Sequence, residues 1–379
     1  MKLQSMRTRN FKAIVDSRMV RLGALTAFVG HNGSGKSSLV EALSTYQAVV
    51  RDGLDIAMQR WMGIEHVRHK AAEAKVRLGK PVNPITFELV IGPSPRGASR
   101  VEMEVNNDSA ANTMFISDER VTYPDKTIDS RYPIGVSNIL KPFVYGNGRS
   151  FLTAPMPRGS ELTAHILGWQ FLTMQPEVMG RPAPQQRTEG RIRLNSDGSN
   201  IADYLLDIRR IDKNAFDGIV ETMAYVLPYA RDLQPSVTSE LERKAYLQMT
   251  EADFKVPGWM LSTGTLRMLA LLALLRHPNP PPLIVVEEIE NGLDPRSIHL
   301  IVEEIRSVVL SGVTQVILTT HSPYLLDLLT LEHLVLVERD AKGQPRFIRP
   351  ADNAGLQKWA RDFAPGKLYT MGSLSGGNP

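Results

Sequence analysis

Four groups of residues in this chain have the types and spacing to handle a phosphate group. The first is the loop "GHNGSGKSS", in which Gly30, Gly35, Lys36 and Ser37 fit the pattern G-x-x-x-x-G-K-[ST]. The apolar run "ALTAFVG" precedes it and the helical stretch "SSLVEALSTYQAVV" follows, which is the strand-loop-helix setting such a loop requires. Glycines there let successive backbone N–H groups turn inward onto phosphate oxygens. Lys36 would bridge the β- and γ-phosphates, and the Ser37 hydroxyl would ligate Mg2+.

The second group lies in "PPLIVVEEIENGLDPRSIHLIVEEIRSVV". Leu283 to Val286 reads as an apolar strand ending in Glu287 and Glu288, at the edge where a parallel sheet presents its ligands. Glu287 would hold Mg2+ through water, and Glu288 would orient and deprotonate an attacking water. Adjacent strand residues point to opposite faces, so neighbouring acids can take separate roles. Asp294 caps and Pro295 opens a helix with apolar positions 298, 301, 305 and 308 or 309. Taken alone, the line describes equally well a strand-to-helix junction with ordinary surface acids.

The third group is "TQVILTTHSPYLLD", which delivers His321 to a strand end, where an imidazole could hydrogen-bond a γ-phosphate. A lone histidine at such a place is more often structural. In "LSTGTLRMLALLALL", Ser262 and Gly264 form a small polar turn ahead of a leucine-rich helix. The serine hydroxyl and the helix N-terminus offer donors and a positive dipole end. A buried helix with an N-cap serine describes the same residues without conflict.

These groups need a large scaffold, and 379 residues with 42% apolar and 22% charged content supply one. The run Leu266 to Leu275 is too short to span a bilayer, and "MKLQSMRTRNFK" lacks a signal-peptide core. The absence of cysteine excludes disulfides and thiolate metal sites. A net charge of +4 and a pI near 9.2 admit nucleic acid as a partner. "KLQSMRTRNF" reads as a strand, and "PITFELVIG", "SRVEMEVN" and "TMFISDERVTY" as an antiparallel sheet within Arg51 to Arg149. Arg60 to Lys80 is basic, which suits a solvated helix face better than a nucleic-acid contact, and His66 and His69 lack further ligands nearby. Gly180 to Gly198 reads as a mobile surface loop, followed by helices at "SNIADYLLDIRRI" and "AFDGIVETMAYVLPYA". No heptad pattern persists, so no long coiled coil is expected.

The order of phosphate loop, Ser-Gly turn, paired-acid strand, "GLDP" turn and "THSP" histidine resembles the ABC-type ATPases, most strongly the RecF/SMC/OLD-like group. "MRTRNFKAI…LTAFVGHNGSGKSSLVEAL" is similar to that group's opening, and "LSTGTLR…EEIENGLDP…ILTTHSPYLLD" to its second half. "SDGSNIADYLLDI" is similar to a further piece, and the resemblance is thinnest over Arg51 to Arg149.

This resemblance implies an α/β fold of the P-loop NTPase class, of ABC-ATPase type, with a mixed central sheet, an antiparallel β lobe and a helical signature lobe. It implies a single domain over 1–379: 1–150 for the phosphate loop and β subdomain, 151–275 for the helical lobe, 276–345 for the acid strand and histidine, and 346–379 as an extension. The implied ligands are ATP and Mg2+. Gly30, Asn32, Gly33, Ser34, Gly35, Lys36, Ser37, Ser38, Ser262, Gly264 and Asp294 would contact nucleotide, Ser37 and Glu287 the metal, and Glu288 and His321 would act in catalysis.

Three positions depart from the pattern. Glu287 stands where Asp is more common, and Thr263 where Gly or Asp is usual. No glutamine occurs from Arg60 to Trp169, where a glutamine loop is expected, so "VYGNGRS", through Asn147 or Arg149, is the candidate replacement.

In the proteins this chain resembles, the signature of one protomer closes on nucleotide held by the other, which implies a homodimer or higher homo-oligomer. Only 58 residues follow His321, too few for another domain of ordinary size. An effector protein, for example a nuclease, would then act in trans, in the cytoplasm, with nucleic acid a plausible partner and no membrane. Anti-phage defence or DNA maintenance is the implied setting. Competing expectations are a RecF-like DNA-binding repair ATPase, a transporter nucleotide-binding subunit, and an ATP-binding scaffold with little turnover.

Overall fold

The computed structural model describes residues 1–70, 76–77, 80–81, 83–93, 97–108, 111–130, 148–153, 160–186, 192–239 and 242–375. Two compact units emerge. One comprises Met1–Trp169, Leu331–Asp362 and Met371–Pro379, the other Gln170–Thr330 and Phe363–Thr370.

The first unit is built on an antiparallel sheet in the order Ile128–Ser130, Thr113–Thr122, Ser99–Asp108, Ile85–Gly92, Lys2–Phe11, Ile14–Asp16, with Val20–Arg21 also on Lys2–Phe11. Alternation gives it two chemically distinct faces. Phe87, Leu89, Val101, Met103 and Val105 are buried on one face, and on the other Arg7, Glu88, Glu102 and Arg120 stand in line across four strands, Glu88 itself buried. The seventeen-residue helix Lys36–Asp52 buries Leu39, Leu43, Tyr46 and Val50, and Tyr46 meets Phe87 with ring centroids 5.9 Å apart. Strand Leu25–Val29, buried along its length, pairs in parallel with Leu334–Arg339, which pairs antiparallel with Pro345–Ile348.

The second unit contains three parallel strands, Gln170–Leu172, Leu283–Val286 and Gln315–Thr320, in that spatial order. Helix Pro295–Leu310 links the last two and buries Ile298, Ile301, Val302 and Ile305. Helix Thr263–Leu275 is buried on nearly every side, so it is a core helix and not an amphipathic surface one. Helices Ile201–Ile211 and Lys213–Val226 and a small antiparallel sheet, Ala183–Pro184, Lys244–Glu251, Ala230–Val237 and Phe254–Pro257, complete it.

The α/β class and the antiparallel sheet match expectation. Two local expectations do not survive. Part of Gly180 to Gly198 is packed: Ala183–Pro184 pairs with Lys244–Glu251, and Ile192 and Leu194 are buried. Asp203 and Asp207 cause this by accepting the N–H groups of Gln186 and Ile192; residues 187–191 lie outside the described residues. In the basic segment, Arg68 is buried and donates to Asn106 Oδ1 at 3.0 Å, so it does not face solvent, while residues 71–75 and 78–79 lie outside the described residues. Among the described residues no helix is long and apolar enough to cross a membrane.

Candidate active site

The phosphate loop lies in the first unit, between strand Leu25–Val29 and helix Lys36–Asp52. Gly35 takes φ 116°, and a Cβ there would come 2.7 Å from Pro345 Cγ, so glycine is required by both conformation and space. Lys36 Nζ donates to the carbonyls of Gly30 and, at 3.0 Å, His31, while Arg339 Nε donates to Gly33 O at 2.8 Å. The Ser34 hydroxyl is buried with no hydrogen-bond partner among the described residues. Asn32, Gly33 and Ser37 are exposed, and Ser38 is buried. A buried unpaired hydroxyl and an exposed serine on the first turn of a helix fit a bound polyphosphate.

The second unit gathers the other residues. Strand Leu283–Val286 ends before the acids, and Glu287 and Glu288 begin a turn, with Glu288 at φ 47°. This corrects the strand-alternation argument: the two acids diverge because the backbone leaves the strand. Their N–H groups go to opposite neighbours, Glu287 N to Leu172 O at 3.2 Å and Glu288 N to Thr319 Oγ1 at 2.9 Å. A non-glycine residue in the left-handed region costs free energy, of order 1 kcal/mol, and such positions cluster at functional sites. Asn291 Nδ2 donates to Glu288 Oε2, and Thr173 Oγ1 donates to Glu287 Oε1 at 3.4 Å. Asp294 caps its helix as expected, accepting from Arg296 N and Ser297 N, and the Ser297 hydroxyl helps hold its carboxyl below the usual range.

Ser262 caps helix Thr263–Leu275, its Oγ accepting from Thr265 N at 3.1 Å, and both Ser262 and Thr263 are exposed. Gly264 lies against the acid turn: a Cβ there would meet Gly292 O at 2.3 Å. His321 follows strand Gln315–Thr320, with its Nδ1 3.2 Å from Glu290 Oε1. The signature turn, both acids and the histidine therefore share one unit, and the phosphate loop belongs to the other. Among the described residues no group of three His, Asp or Glu side chains could hold a metal by itself.

Residues 180–327 match the family model described as "AAA domain, putative AbiEii toxin, Type IV TA system". A solved SMC head bound to the C-winged helix domain of ScpA aligns over 92% of this chain and 98% of its own, with 15% identity and a TM-score of 0.54. The chain thus contains a segment similar to AAA domains and has a fold similar to that of SMC heads. A second solved Smc head, with an extended coiled coil and bound to the C-terminal domain of ScpA derived from Pyrococcus furiosus, aligns over 95% of this chain and 99% of its own, at 13% identity and a TM-score of 0.50. Nod factor export ATP-binding protein I of Sinorhizobium fredii (strain NBRC 101917 / NGR234) is 29% identical over 146 residues, 38% of this chain and 38% of that relative's length.

The geometry of the site adds residues that carry no motif of their own. Gln175 stands exposed three residues beyond strand Gln170–Leu172, the immediate parallel neighbour of the acid strand. Gln175 lies beyond the Arg60 to Trp169 stretch that lacks glutamine, and the apolar "FLTM" before it is its sequence signal. The replacement through Arg149 fails, because Arg149 packs on Gly53, at the far end of a helix about 25 Å long. Asn147 lies outside the described residues. Arg267 Nη2 donates to Met174 O at 3.2 Å, and burial lowers its guanidinium below the ordinary value while Glu177 and Glu288 pull it back.

Proposed function

We propose that this chain binds and hydrolyses ATP and that the nucleotide joins two copies of it into a switch. The observation that supports this reading most is the exposed Ser262–Thr263 turn, anchored through Gly264 to the acid-bearing turn at Gly292. A signature that must reach a partner's nucleotide has to be exposed and coupled to the residues that cleave it.

In this reading the backbone of Gly30 to Ser38, with Asn32 in the loop, and the Lys36 ammonium hold the phosphates. Ser37 and Glu287 would hold Mg2+, which neutralises phosphate charge when bound. Glu288 takes a proton from water as the water oxygen bonds to the γ-phosphorus and the bond to the β-γ bridging oxygen breaks, leaving ADP and phosphate. Asn291 and the Thr319 hydroxyl fix Glu288 for that task. Ser262, Gly264 and Asp294 serve the nucleotide of the partner copy, and loss of the γ-phosphate releases the pair.

The output falls to a partner protein or to nucleic acid in the cytoplasm. The matched family's description as a putative AbiEii toxin supports a defence setting, and SMC heads bound to ScpA support a protein partner. A second reading, a nucleotide-binding subunit for a membrane transporter, draws on the partial likeness to an export ATP-binding protein. Recovery of the protein in a detergent-soluble membrane complex favours the second reading, and recovery in the soluble fraction the first.

The deciding experiment is molar mass in solution for Glu288→Gln with and without ATP and Mg2+. Removing the base should trap the closed state, so the 42.1 kDa chain is expected to double in mass only when ATP and Mg2+ are present. An unchanged mass overturns the switch.

A further inference from the structure

We infer that Glu290 is the positioning residue of His321, fixing which ring nitrogen carries the proton and which is left to work. The kinetic part of this inference rests on the ATPase reading above; the structural part does not.

Glu290 lies two residues beyond Glu288, in the same turn, and its side chain is only 8% exposed. One of its oxygens, Oε1, gathers three groups from the end of strand Gln315–Thr320. The Thr320 hydroxyl donates at 2.9 Å, the backbone N–H of His321 donates at 2.8 Å, and His321 Nδ1 lies 3.2 Å away. Residue 321 is thereby held at both backbone and ring by one carboxylate. An ionised carboxylate only accepts, so the ring nitrogen facing it must bear hydrogen. In the neutral ring Nε2 is then an acceptor, and after a second protonation it is a donor. In either state Nε2 is the atom left for water or phosphate.

The second oxygen argues that this carboxylate is more than a strut. Glu290 Oε2 is buried with no hydrogen-bond partner among the described residues, a costly arrangement for a charged group. Fastening a hydroxyl and a backbone N–H would need only a neutral amide oxygen. The neighbouring acid has its own partners, since Glu288 is engaged by Asn291 and Thr319. The turn thus carries two acids with separate duties, Glu288 for the water and Glu290 for the histidine. Nothing in the sequence pairs them, because Glu290 and His321 are 31 residues apart and meet through the parallel strands.

The test uses full-length protein with 15N-labelled imidazoles, with His321→Ala assigning the signal. At pH 8, above the ordinary imidazole value of about 6.5, the wild-type ring is expected to be protonated at Nδ1, and Glu290→Ala to lose that preference. In steady-state ATP hydrolysis Glu290→Ala is expected to lower kcat about 10- to 100-fold, as loss of a histidine's outer partner does elsewhere, with KM little changed. Glu290→Gln, which keeps an acceptor oxygen, should recover part of the loss and serves if the alanine variant fails to fold. In a His321→Ala background, Glu290→Ala should add nothing.

A wild-type ring protonated at Nε2 overturns the inference, and so does an undiminished kcat in Glu290→Ala. A purely structural role predicts additive losses in the double variant. Absence of hydrolysis by the wild type removes the ATPase reading, and the ring-proton measurement then decides on Glu290 alone.

Discussion

The backbones of Gly264 and Gly292 approach so closely that a Cβ on Gly264 would sit 2.3 Å from the Gly292 carbonyl oxygen. The first turn of the signature helix and the turn carrying Glu288 are therefore in register through bare backbone. Gly264→Ala must push them apart, at a cost of about 1–3 kcal/mol for an overpacked contact. The expected outcome is a lower urea midpoint with unchanged slope, together with reduced ATP turnover. A variant as stable and active as the wild type would show that the contact is dispensable.

Arg267 reaches from the same helix to Met174 O, and Glu288 acts on its charge. Arg267→Met should cost about 1.5–3 kcal/mol of stability, typical of a hydrogen bond to a charged group, and should also slow hydrolysis. Arg267→Lys retains the cation without the guanidinium fork. If the lysine variant restores turnover but not stability, charge near Glu288 is what matters; if it restores neither, the bond to Met174 is.

Lys36 is expected to dominate nucleotide affinity. A charge-assisted hydrogen bond contributes about 2–3 kcal/mol, so Lys36→Ala should weaken ATP binding on the order of a hundredfold. Calorimetric titration with ATP and Mg2+ measures this directly, and a change of less than threefold would remove the loop from the binding site.

His165 sets a pH dependence unrelated to catalysis. Burial, aided by the positive N-terminus, lowers its imidazole to about 4, and it lies edge-on to Trp169. The folded ring stays neutral while the unfolded ring takes up a proton below about pH 6.5. Its folded value is depressed, so its contribution is complete above that pH and is lost as pH falls toward 4, by about 3 kcal/mol in all. Urea unfolding between pH 7.5 and 4.5 should show a steeper decline for the wild type than for His165→Leu. Equal slopes would refute the assignment.

Much of the scaffold was legible because its signals are local. The apolar runs ending at Gly30, Val286 and Thr320 are strands or directly follow them, and Ser262 and Asp294 cap helices as their types require. What escaped depends on distant partners. The left-handed backbone at Glu288 has no residue-type signature, since glutamate is an unusual occupant of that region. The contacts from Glu290 to His321 and from Arg267 to Met174 exist only once the parallel strands are assembled. The packing of Ile192 and Leu194 was hidden by the Pro- and Gly-rich composition around them, which marks loops whether or not buried acids hold them down.

The division of the chain bears on its birth at the ribosome. Strand Leu25–Val29 takes its parallel partner from Leu334–Arg339, with the whole of Gln170–Thr330 synthesised between them. At roughly 5–20 residues per second of translation, the early strand waits on the order of 15–60 s for that partner. Throughout that interval a strand apolar but for Thr26 lacks its Leu334–Arg339 partner, and the helix behind the phosphate loop has only the earlier elements of its unit for shelter. Nascent chains halted before residue 334 should accordingly bind chaperones more strongly than those released after residue 362, and high contact order should make refolding of the first unit the slow phase.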